Sequence, residues 1–125
     1  MTWTDTWVAR IEEFQNEPLH VWAAVLMWHK GRHGKRLIIY DSNSDLLPEG
    51  EIFEKDLILG KQRGLIQHLR EEEEYNISEI WVGGKGNNDD GICLEVTAKW
   101  IQEVAKAGGV DIDNLEKKGF RRVWR

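Results

Sequence analysis

The chain contains one cysteine, two prolines and no apolar run approaching the roughly 18 to 20 residues that a membrane-spanning helix requires. Cys93 alone cannot close an internal disulfide and leaves no cysteine cluster for zinc, which fits a reducing compartment. Basic charge is also scarce: 17 Lys and Arg stand against 22 Asp and Glu, a formal net charge of −5. That balance argues against general nucleic-acid binding, because phosphate contacts need a basic surface. The N-terminus, MTWTDTWVARIEEF, has an acidic amphipathic pattern where a signal peptide would show a basic start and a greasy stretch. Together these features predict a soluble protein with no membrane partner, located in the cytoplasm or nucleus.

What is present suits one folded unit. A length of 125 residues, 41% apolar and 31% charged, predicts a single domain over residues 1–125. Seven tryptophans are many for this length. Trp22, Trp81 and Trp100 are expected in the core. Trp3, Trp7 and Trp124 lie near the termini, where so small a core has little left to cover them, which points to a homodimer or a docking surface for a protein partner. Charge is uneven, with an acidic run at Glu71–Glu74 and a basic tail, KKGFRRVWR. The run reads as a solvated face, the tail as a terminal strand or a contact for an acidic partner.

Periodicity predicts a first helix capped by Thr4 or Asp5 and running to Gln15, with Trp7, Ile11 and Phe14 on one face. Pro18 separates it from Val21–His29, a strand joined to Leu37–Tyr40 by a basic Gly-containing turn. A turn-rich segment follows Asp41, then a helix capped by Asp56 with Ile58, Leu65 and Leu69 on one stripe, weakened by Gly60 and Gly64 and ending at Asn76. Ile77–Val82 reads as another strand. The last helix, Ile92–Ala107, has Cys93, Val96, Trp100 and Val104 on one stripe and Leu94, Ile101 and Ala105 on an adjacent one, with Gly108 and Gly109 terminating it. Phe120–Trp124 reads as a final strand. The fold class is α+β, with a central, mostly antiparallel sheet of three to four strands packed by helices.

The stretch HVWAAVLMWHKGRHGKRLIIYDSN carries the chemistry, with His20 and Asp41 at the outer ends of the hairpin. LHVWAAVL, LIIYDS and NNDDGICLEV, in that order, resemble the catalytic core of the Ulp1/SENP-like cysteine proteases that cleave SUMO and related ubiquitin-like modifiers. The resemblance covers residues 19–107 and implies a papain-like, Ulp1-like core. It implies that His20 is the base, Asp41 orients it, and Cys93, near a helix start that favours the thiolate, is the nucleophile.

Three departures shape the functional expectation. Aligning NDDGIC on the family's Asn-Asp-Cys-Gly puts Asp90 at the nucleophile position and moves Cys93 downstream, onto an apolar helical stripe where it reads as a small buried residue. Trp follows His directly in the family, whereas Val21 intervenes here; if Trp22 keeps its place, Val21 holds the His position and His20 points to the other face. No Gln precedes the Asp-Asp-Gly segment, leaving Lys85, Asn87 and Asn88 in the loop that would supply an oxyanion donor. The leading expectation is therefore a non-catalytic domain that binds another protein, such as a ubiquitin-like modifier, or itself. The alternative is an active cysteine peptidase using Cys93, His20 and Asp41, and a third reading is a nucleic-acid-binding regulatory module using the basic hairpin tip and tail. Asp41 alone also reads as a strand-end residue bonding the backbone at Asn43, and Asp90 as a helix N-cap. GGKG lacks the spacing of a phosphate loop, and His29 and His33 flank a flexible turn with no third ligand, so neither a cofactor nor a metal is expected.

Overall fold

A strand as apolar as VWAAVLMW needs cover on both faces and a partner along each edge. The computed structural model provides all four. It describes residues 3–13, 20–29, 34–42, 60–72, 77–84 and 93–124. Among these the elements are β1 (Trp3–Glu13), β2 (His20–His29), β3 (Lys35–Tyr40), α1 (Gly60–Glu71), β4 (Ile77–Gly83), α2 (Cys93–Ala107) and β5 (Arg121–Trp124), with a 3-10 turn at Ile112–Asn114. The five strands form one sheet in the order β1-β2-β3-β4-β5. β2 pairs antiparallel with β1 and with β3, β4 runs parallel to β3, and β5 is antiparallel to β4. The class is α+β, but the sheet has five strands rather than three to four, and the β3–β4 pair makes it mixed.

The fifth strand comes from the N-terminus, where a helix was expected. Trp7 and Ile11 are four residues apart, a spacing that fits a helical face and one face of a strand equally well. Thr4, Thr6 and Val8 are β-branched and favour the strand. The decisive term is tertiary, because β2 needs an edge partner: Val8 lies opposite Val25, and Ile11 opposite Trp22.

Alternation along β2 and β3 divides the core between the two faces of the sheet. Trp22, Ala24, Leu37, Ile39, Ile80 and Val82 pack with Ile66 and Leu69 of α1. Ala23, Val25, Met27, Ile38 and Tyr40 pack on the other face with Val104 of α2, Leu115 and Phe120. The expected α1 stripe omitted Ile66, the most deeply buried residue of that helix. Of that stripe, Leu69 is buried and Leu65 half-buried, while Ile58, Asp56 and Asn76 lie outside the described residues. On α2 the second expected stripe is corrected, since Leu94 and Ala105 are exposed and the helix turns Thr97, Trp100 and Val104 inward. Trp22 is fully buried, whereas Trp81 and Trp100 are half-buried at the margin of the second cluster. Glu71 and Glu72 are exposed, as a solvated acidic face requires.

Gly108 ends α2 at φ 76°. Its N–H donates to Ala105 O, and the N–H of Gly109 to Val104 O, the paired bonds of a Schellman motif. Val110 N–H then donates to Met27 Sδ at 3.3 Å, tying the C-terminal end of the helix to β2. The basic tail is a strand: Arg122 of β5 bonds Glu79 of β4 at 3.3 Å, and Glu79 also pairs with Arg36 of β3. Phe120 settles over Gly83, where a Cβ would lie 2.4 Å from the ring and 2.8 Å from the Phe120 Cα. No helix among the described residues is long and apolar enough to cross a membrane.

Two glycine substitutions should change stability in opposite directions, as read by urea unfolding. Gly83→Ala forces Phe120 and its backbone aside and should destabilise by about 1–3 kcal/mol, the usual cost of overpacking. Gly64→Ala, on an exposed helical position with nothing within 4 Å, should stabilise by up to about 1 kcal/mol. Glu79→Gln leaves Arg36 without its partly buried counter-ion and should cost about 1 kcal/mol, less at high salt.

Candidate functional site

β3 is followed in sequence by α1, on one face of the sheet, and β4 by α2, on the other. Two adjacent parallel strands whose onward connections depart to opposite faces create a switch point, and the crevice beyond their C-terminal ends is where such sheets place sites. Here that end carries Asp41 and Ser42 after β3, and Gly83 and Gly84 at the end of β4. The Asp41 N–H donates to Gly83 O at 2.8 Å, extending the parallel ladder one step past β3. Gly84 has φ +109°, and a Cβ there would lie 2.6 Å from the Asp41 carbonyl oxygen. Only glycine permits both that backbone conformation and that approach. The first two glycines of GGKG are thus accounted for by packing.

Asp41 is 3% exposed and Ser42 1%. The Ser42 hydroxyl has no hydrogen-bond partner among the described residues. α2 starts at this same end of the sheet: Thr97, one turn after Cys93, donates its hydroxyl to Val21 O at 3.2 Å, while the far end of the helix meets Met27. The start of β2, the end of β3 and the start of α2 therefore converge. His20 begins β2, Asp41 follows β3 and Cys93 begins α2, and the side chains of His20 and Cys93 lie outside the described residues.

Register decides which position at this end faces α2. Ala23, Val25 and Met27 occupy the α2 side of β2, and alternation places Val21 in their row. Val21 is 1% exposed, with its carbonyl held by Thr97. His20 has the register of Trp22 and Ala24, which pack on the α1 side. On β3, Asp41 continues the row of Leu37 and Ile39, also on the α1 side. The space between the sheet and α2 is filled by aromatic packing. Tyr40 stacks on Trp100 at 4.7 Å between ring centroids with an interplanar angle of 13°, and Trp100 lies 6.3 Å from Phe120.

Several expected participants, Asn43, Lys85, Asn87, Asn88, Asp90 and His33, lie outside the described residues. Among the described residues no group of three or more His, Cys, Asp and Glu is placed to hold a metal ion. Reading the sequence missed Ser42, Thr97 and the backbone contact of Gly84 with Asp41. The Gly-Gly pair after a strand was the available signal. No protein-family model, curated protein or solved structure matches the chain.

The two hydroxyls at this end should respond differently to removal. Thr97→Val deletes a buried bond to Val21 O and should cost about 1 kcal/mol or more in unfolding free energy, since a carbonyl loses its partner. Ser42→Ala removes a buried hydroxyl that has no partner among the described residues and should leave stability unchanged or raise it.

Proposed function

We propose that this chain is a non-catalytic domain, similar to the core of the Ulp1/SENP-like cysteine peptidases, that works by binding another protein. The observation that carries the reading is Val21. At the end of the sheet where β2 and β3 meet the start of α2, the β2 position facing the helix is a buried aliphatic residue. A thiolate mechanism needs an imidazole there to take the thiol proton and return it to the leaving amine. The register of His20 and Asp41 on the α1 side, with Cys93 on the helix of the opposite side, supports the same conclusion.

Binding is supported by what the sheet leaves at its margin. β1 is an eleven-residue outer strand with one strand neighbour among the described residues. A strand edge of that length offers backbone donors and acceptors to a further strand. Trp28, next to the β1 edge on β2, is 38% exposed, and Leu94 on the first turn of α2 is 47% exposed. The partner is a protein, either a second copy of this chain or a ubiquitin-like modifier. The basic tail forms β5, with Arg122 paired to Glu79 while Lys117 and Lys118 stay exposed.

Thiol chemistry tests the non-catalytic reading. Iodoacetamide should label Cys93 more slowly in the native protein than in denaturant near neutral pH, and a fluorogenic amide on the C-terminus of a ubiquitin-like modifier should not be cleaved. Rapid native labelling together with turnover abolished by Cys93→Ser would establish the peptidase instead. For binding, sedimentation velocity over a range of concentrations should show either self-association or, with a ubiquitin-like modifier added, a complex in which the modifier stays intact. A species that remains monomeric alone and with the modifier would remove both partners.

A further inference from the structure

We draw no further inference here: the strongest candidate, the crevice beyond the C-terminal ends of β3 and β4 where the Ser42 hydroxyl is buried at the end of the sheet from which α2 starts, belongs to the site already described, and nothing in the structure shows what ligand it holds.

Discussion

Strands β3 and β4 lie side by side and run in the same direction, so the chain leaving β3 must travel back along the sheet before β4 can begin. α1 lies within that return and covers one face. A tight turn could have joined β4 to the antiparallel β5, yet the chain passes through α2 on the other face. The two helices on opposite faces leave the ends of β3 and β4 side by side, and there the parallel ladder runs on through Asp41 N–H to Gly83 O and brings Gly84 against the Asp41 carbonyl. The buried position of Asp41, the orientation of α2 and the convergence of three elements at one end of the sheet all follow from this single parallel pairing.

The described residues at this end of the sheet are closely packed. Gly83 gives its side-chain volume to Phe120, and Gly84 gives its own to the Asp41 carbonyl. Trp100 bridges Tyr40 and Phe120, so the C-terminal ends of β3 and β4, the lead-in to β5 and the middle of α2 share one aromatic contact. Thr97 fixes the helix axially against the start of β2. On the α2 side of this end the described residues are Val21 and the Tyr40–Trp100–Phe120 stack, the observation on which the proposed non-catalytic reading rests.

The hairpin was legible because β2 and β3 are apolar on both faces and joined by a segment rich in glycine and charge. α2 was legible from its first stripe and its paired glycines, although neither stripe included Thr97, which is fully buried and bonds Val21 O. β1 was misread because a period of four cannot separate helix from strand, and the need of β2 for a second edge partner is not written in residues 3–13. The alternation that puts Val21 in the row facing α2 could be read directly from the order of residues. The contacts of Gly83 and Gly84 could not, because a glycine reveals that a side chain is absent and never what occupies the space.

Over residues 21–25 of β2 and 37–40 of β3 both sides of the strand are buried, since consecutive residues such as Ile38 and Ile39 anchor different clusters. Neither strand can tilt or slide without disturbing α1 and α2 together. The sheet therefore acts as a stiff plate between the helices, and a load applied along the outer edge at β1 passes through β2 to both layers at once. A partner gripping that edge would restrain the whole molecule, because its central strands offer no independent half to move.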